Sequence, residues 1–206
     1  MLLDHKEIFC YGEVPSALTP EAKELIAKAV AKTRPARAPR LVHLCGMPGS
    51  GKTTYAEQFR LREPGFALVQ FDHVMESLSG YRVDKLEKGP VHAFKNWESP
   101  ARAVGYRLLQ ALLERRHDVL FDHSAASHNH LTLIDTARAW GYSVEMHYLS
   151  CSVQLCLERV REREAKIGRH TPPRLVVERQ VLLDELLPCT RRKSINSCRS
   201  SKMRSP

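Results

Sequence analysis

The chain has 206 residues, a length that suits one domain with a sizeable core, and at 43% hydrophobic and 27% charged it has an ordinary globular composition. No apolar run approaches the roughly 20 residues that span a bilayer, and Met1–Cys10, carrying Asp4 and Glu7, lacks the apolar centre of a secretion signal; a cytoplasmic protein is the expectation. The net charge of +9 argues less for a nucleic-acid binder than its size suggests, because six of the nine lie between Thr190 and Pro206, a segment without an acid.

The first predicted element is a helix over 19–33. Thr19 suits its N-cap, Pro20 its first position, and Leu25, Ile26, Ala29 and Val30 its apolar stripe. The run from Arg34 to Arg40 holds Pro35 and Pro39 and cannot continue it. Leu41–Cys45 reads as a buried strand that leads directly into a glycine-rich loop, and Thr53–Leu61 as the helix after it. A second strand is expected over Ala67–Phe71, ending at Asp72 and lying beside the first. Residues 73–100 are mixed, with turn signals at Ser79-Gly80 and Gly89-Pro90. A helix over 101–116 follows, then a third strand, Val119–Phe121, ending at Asp122. Leu131–Trp140 is a helix stopped at Gly141, Ser143–Leu149 a fourth strand, and Val153–Arg163 a helix. A loop over Gly168–Pro173 precedes a last helix, Arg174–Leu187, ended by Pro188.

Strands that alternate with helices imply an α/β fold with a mainly parallel sheet flanked by helices in three layers. The expected organisation is an N-terminal helix and linker over 1–40, a nucleotide-binding domain over 41–188, and a basic disordered tail over 189–206. The tail is Ser- and Arg-rich; a native end and a truncated or frame-shifted one are both open. The six cysteines are scattered without C-x-x-C spacing and read as reduced thiols, and the ten histidines form no metal-binding pattern.

Gly46, Gly51, Lys52 and Thr53 complete the pattern G-x-x-x-x-G-K-[ST], between a predicted strand and a predicted helix. Glycines let successive backbone N–H groups turn inward onto phosphate oxygens, and the helix N-terminus faces the same anion. The loop Gly46, Met47, Pro48, Gly49, Ser50, Gly51, Lys52, Thr53, with Thr54 behind it, is therefore the expected ATP site of a P-loop NTPase fold. Lys52 is expected to neutralise β- and γ-phosphate charge, and the Thr53 hydroxyl to bind Mg²⁺.

A phosphoryl-transfer enzyme also needs a group to accept the proton of the attacking hydroxyl. Asp72, at a strand end near the loop, is the expected base, with a helix-capping role as the alternative. Asp122 competes with it as a holder of Mg²⁺ or its water, or serves as a turn residue. Arg159, Arg163 and Arg169 are candidates to offset charge on the transferring group from a closing lid. Arg161 fits a solvated face beside Glu158, Glu162 and Glu164. Tyr81, Trp97 and Arg102 lie in the stretch that would cover the acceptor.

Leu41–Thr53, Phe71-Asp72-His73, and Leu157–Pro173 with its following helix resemble the zeta-toxin family of P-loop kinases, in layout over roughly residues 20–188. The resemblance implies ATP-dependent phosphorylation of a hydroxyl of UDP-N-acetylglucosamine. By motif position it makes Asp72 the base, gives Lys52 and Thr53 the phosphates and Mg²⁺, and brings Arg159 or Arg163 with Arg169 to the transferring phosphate. A toxin of this kind implies an antitoxin partner that occludes the nucleotide site. Where that family has a Glu-Gly-Thr type segment after the third strand, this chain has Asp122-His123-Ser124. That feature, with Gly141–Arg163, also resembles polynucleotide 5′-hydroxyl kinases. A non-catalytic ATP-binding module is the third reading.

Overall fold

The structure is a computed structural model that describes residues 18–124 and 127–193. Its elements are α1 (Pro20–Ala31), β1 (Arg40–Cys45), α2 (Lys52–Arg62), β2 (Ala67–Gln70), α3 (Phe71–Ser77), α4 (Ser79–Lys88), α5 (Pro90–Glu114), β3 (Val119–Asp122), α6 (Asn129–Ala139), β4 (Ser143–Tyr148), α7 (Val153–Ile167) and α8 (Pro173–Lys193).

The four strands form one parallel sheet in the order β2-β3-β1-β4. Both sides of β1 are apolar because both faces of the sheet are covered. Leu41 and Cys45 point, with Val69, Val119, Phe121, Val144 and Met146, into the core shared with α5, α6, α7 and α8. Val42 and Leu44 point the other way, with Leu120, onto Ala56 and Phe59 of α2. A third cluster joins Ala22 of α1 to Val74, Met75 and Tyr81 and to Ala93, Ala101 and Val104 of α5. Each large side chain removed from water in these cores stabilises the fold by about 1.5–3 kcal/mol.

Four expectations are corrected. β2 lies beside β3 and not beside β1, since β3 occupies the place between them. β2 also ends at Gln70, and Phe71 and Asp72 already belong to the first turn of α3. The mixed stretch 73–100 is helical: Gly89, at φ +85°, ends α4, and Pro90 opens α5, which runs through Pro100 for 25 residues. Ala93, Ala101 and Val104 hold that helix against α3 and α4 on both sides of the proline, so local packing outweighs the lost hydrogen bond. Pro188 likewise does not end the last helix, which continues to Lys193, with Leu183 and Leu186 buried just before the proline. Residues 189–193 of the expected disordered tail are thus helical, and the rest of that segment lies outside the described residues.

The linker between α1 and β1 is pinned in place. The Ala36 N–H donates to the Arg116 carbonyl at 2.8 Å, and the Arg116 guanidinium donates to the Arg37 carbonyl at 3.1 Å. Cys45 and Cys156 are buried, and Cys151 is partly buried. Cys10 and Cys198 fall outside the described residues.

Candidate active site

The glycine loop leaves β1 at its carboxyl end, and its path depends on two positions. At Gly46 (φ +146°) an added Cβ would sit 2.8 Å from the Leu149 carbonyl, and at Gly49 (φ +84°) it would sit 2.5 Å from the Cys156 carbonyl. Only glycine allows the loop to pass this close to β4 and α7. Gly51 then starts α2 without a side-chain cap, so the first amides of α2 keep their donors for a ligand. Lys52 Nζ donates to the Gly46 and Met47 carbonyls at 2.9 and 2.8 Å, arched over the loop it serves. Met47 is a core residue at 1% exposure, whereas Thr54 is exposed and does not line the cleft.

A cleft of about 290 Å³ opens from this loop across the carboxyl ends of the strands. Pro48, Gly49, Gly51, Lys52 and Thr53 form one part of its wall. Asp72 and Asp122 both line it, as their places after β2 and at the end of β3 require. A residue missed in the sequence connects them to the loop. Gln70 Nε2 donates to Asp122 Oδ2 at 2.7 Å and to Thr53 Oγ1 at 3.2 Å, so one amide holds the hydroxyl and the carboxylate together. The signal for it was a single polar side chain at the end of an apolar strand.

Asp122 is buried, and burial pushes its carboxyl up to about 6; the nearby Asp72 charge adds to this, while Lys52 and the Gln70 hydrogen bond oppose it. A buried carboxylate beside a hydroxyl is a hard oxygen pair poorly balanced by the protein's own cations. That donor set fits Mg²⁺, which takes one or two protein oxygens and completes its shell with phosphate and water. Thr53 and Asp122 are the residues that would hold it. Among the described residues no group of three or more His, Cys, Asp or Glu side chains could hold a metal ion.

Asp72 is partly exposed, and the capping alternative does not describe it: Gln70 is the N-cap of α3, and Asp72 lies inside the first turn. Of the three arginines, Arg159 and Arg163, both of α7, line the cleft. Arg159 extends to the loop, 3.5 Å from the Gly49 carbonyl. Arg163, one turn later, donates from Nη2 to Thr171 Oγ1 at 2.6 Å, while its buried Nε meets no acceptor. Burial lowers the pKa of this guanidinium, partly offset by Asp72. Arg169 lies beyond the cleft lining, paired through Nε and Nη2 with Glu76 at 2.7 Å and with Nη1 3.9 Å from Asp72. Arg161 is exposed, as a solvated face requires. The segment carrying these groups is anchored at its turn, where Lys85 Nζ donates to the Ile167 carbonyl at 2.9 Å beside Gly168. Of the covering residues, Arg102 lines the cleft, while Tyr81 and Trp97 do not; Tyr81 is core, and the Trp97 indole donates to Asp84 at 2.8 Å.

A parallel sheet in this order, with a glycine loop between β1 and α2 and a carboxylate ending β3, defines a P-loop NTPase fold. The chain belongs to the AAA domain family (AAA_33), which it matches over residues 41–182. No curated protein is similar enough in sequence to count as a match. Among solved structures it is similar to the PezAT chromosomal toxin–antitoxin system of Streptococcus pneumoniae, with a TM-score of 0.67 at 17% identity over 86% of this chain and 76% of that one. It is similar to the AvrRxo1-ORF1:AvrRxo1-ORF2 complex with ATP, with a TM-score of 0.57 at 18% identity over 86% of this chain and 67% of that one. It is also similar to the Pnkp1/Rnl/Hen1 RNA repair complex, with a TM-score of 0.54 at 19% identity over 82% of this chain and 52% of that one. At such identities the likeness is one of fold. No helix among the described residues is long and apolar enough to cross a membrane.

Proposed function

We propose that the protein is an ATP-dependent kinase that transfers the γ-phosphoryl group to a hydroxyl, with UDP-N-acetylglucosamine or a related molecule as the favoured acceptor. The observation that carries the reading is the shared cleft. It brings the glycine loop, the Thr53–Gln70–Asp122 chain, Asp72 and two arginines of α7 into one wall.

In this reading ATP lies with its phosphates along Gly46–Thr53, held by loop amides and Lys52. When bound, Mg²⁺ supplies charge neutralisation across the β- and γ-phosphates. Asp72 accepts the proton of the acceptor hydroxyl as its oxygen attacks the γ-phosphorus and the bond to the β–γ bridging oxygen breaks, leaving ADP. Arg159, resting on the loop, serves the phosphates directly. Arg163 has an Nε without an acceptor, which a phosphoryl oxygen would satisfy. Arg169 joins them only by leaving Glu76, so its contact with Glu76 and Asp72 is a resting position. A protein antitoxin remains the expected partner if the chain acts as a toxin.

Labelled ATP with a panel of UDP-N-acetylglucosamine, oligonucleotides and small sugars tests the acceptor. Label on UDP-N-acetylglucosamine is the expected result. Label on oligonucleotide 5′ ends alone would assign a polynucleotide kinase, and ATP binding without any labelled acceptor would assign a non-catalytic module.

A further inference from the structure

The turn between β4 and α7 brings two thiols together beside the glycine loop. Ser152 is the N-cap of α7: its backbone is extended, and its hydroxyl accepts from the Leu155 N–H at 3.2 Å. Cys151 therefore stands just before the cap, and Cys156 at the fourth position of the helix. At a capped helix start these two positions pack on one another, where an apolar pair fixes the angle at which the chain enters. Here both are cysteines. Their side chains hydrogen-bond to each other, and Cys151 packs against the core cluster that contains Cys156.

Apolar contact is all that such a pair needs for packing, and the surroundings of these sulfurs supply more. Cys156 is fully buried whereas Cys151 is partly exposed, so a small oxidant reaches Cys151 first. Arg159 Nη1 donates to Cys151 Sγ at 3.9 Å, which sets a cation beside the accessible sulfur, near the positive end of α7. Burial, with the Cys151 hydrogen bond adding to it, pushes the Cys156 thiol up to about 12. Cys156 thus keeps its proton until a neighbouring sulfur is activated for attack.

We propose that Cys151 and Cys156 form a peroxide-sensitive dithiol that closes to a disulfide and loosens the nucleotide loop. Cys151 sulfur attacks one oxygen of hydrogen peroxide and the O–O bond breaks. The other oxygen leaves as water with the thiol proton, and Cys151 becomes a sulfenic acid. Cys156 sulfur then attacks Cys151 sulfur, the S–O bond breaks, and the Cys156 proton leaves with the hydroxyl as a second water. The two thiols lose two electrons, and the peroxide gains them.

Two contacts carry the bond to the loop. An added Cβ at Gly49 would lie 2.5 Å from the Cys156 carbonyl, so the loop rests directly on Cys156 backbone. That backbone must shift as the sulfurs close from hydrogen-bond separation to about 2.05 Å. The second contact is Arg159, whose Nη1 meets both Cys151 Sγ and, at 3.5 Å, the Gly49 carbonyl. Displacing that sulfur moves the arginine that the article's site places on the phosphates. The dithiol stands independently of the kinase reading, and its effect on nucleotide affinity rests on that reading.

Hydrogen peroxide treatment of the full chain tests this, followed by alkylation of the remaining thiols, peptide mapping, and calorimetric titration with a non-hydrolysable ATP analogue and Mg²⁺. Trypsin leaves both cysteines on the peptide Ala139–Arg159. The expected product is that peptide, unalkylated and lighter by the two thiol hydrogens. The oxidised protein should bind the analogue about fivefold or more weakly than the reduced one, and dithiothreitol should restore it. Cys151→Ser and Cys156→Ala should each abolish the bond and the response to peroxide, with untreated affinity within about twofold of the parent. If the buried Cys156→Ala variant misfolds, Cys151→Ser decides. A Cys156 thiol still open to alkylation after peroxide, or a bond that leaves the analogue's affinity unchanged, would overturn the proposal. An analogue that binds neither form overturns the kinase reading instead, and the peptide map then judges the dithiol by itself.

Discussion

At the scale of single residues, the cost concentrated at Asp122 is the most informative quantity in the site. Its carboxyl is raised from 3.8 to about 6 by burial. A carboxyl raised on folding binds protons more tightly in the folded state. Its ionisation therefore removes stability as pH climbs through the window from about 4 to about 6, and the full cost persists above it. Two pKa units correspond to about 3 kcal/mol, an upper figure for a group that also keeps its Gln70 hydrogen bond. Asp122→Asn should thus raise the thermal midpoint at pH 7 without nucleotide or Mg²⁺, and should remove the further stabilisation that Mg²⁺ with an ATP analogue gives the parent. Scanning calorimetry in both conditions checks this; a variant less stable than the parent without ligand contradicts it. Lys52, Thr53 and Asp122 were legible in the sequence because each sits at a fixed offset from a strand end. Gln70 was not, because its role depends on β2 pairing with β3, and that pairing is set by the whole sheet.

At the scale of elements, the strand–loop–helix unit from β1 to α2 was readable because a period-2 apolar run, a glycine pattern and a helix start are all local. The loop's exact fit is tertiary. Gly49 has φ +84° and the Cys156 carbonyl beneath it, so Gly49→Ala adds both backbone strain and a contact of 2.5 Å with a rigid carbonyl. It should cost about 1–3 kcal/mol by urea denaturation and weaken ATP-analogue binding at least tenfold. Gly65→Ala is the control, since its added Cβ meets nothing within 4 Å, and it should change neither by much. A Gly49→Ala protein that binds the analogue normally would show that the loop does not hold phosphate. The helices α3 to α5 were less legible. Their turn signals at Ser79-Gly80 and Gly89-Pro90 make the stretch mixed in sequence, whereas Gly89 merely separates two helices and Ser79 opens one, with its N–H and hydroxyl bound by Glu21 of α1 at 2.8 and 3.0 Å. Tertiary contact makes helix of a stretch whose sequence pattern is mixed. The place of Arg179 on the cleft wall was hidden for a similar reason: only the docking of α8 brings it to the cleft.

At the scale of the molecule, the sheet is closed around histidines that must stay neutral. His43 is fully buried on β1, with ring centroids 5.9 Å from His123 and 5.5 Å from His130, and neither of its ring nitrogens has a hydrogen-bond partner. Burial lowers the pKa of His43 and His123 well below 6.5. A base lowered on folding binds fewer protons folded than unfolded, so stability is lost as pH falls below about 6.5, by up to about 1.4 kcal/mol per pH unit for each such group. Two histidines against the opposite contribution of Asp122 make a net loss toward pH 5. His43→Leu should flatten that loss in urea titrations at several pH values; an unchanged slope would place the acid sensitivity elsewhere.

The parallel sheet sets every strand's carboxyl end, and so the whole cleft, on one side, where Asp72 and the loop that would hold ATP line the same wall. The most direct measurement is phosphoryl transfer by Asp72→Asn from labelled ATP to the acceptor found for the parent, alongside the affinity of each protein for an ATP analogue. The prediction is transfer lowered about a hundredfold or more with nucleotide affinity within twofold of the parent. Transfer at the parent's rate by Asp72→Asn would contradict the account at its centre.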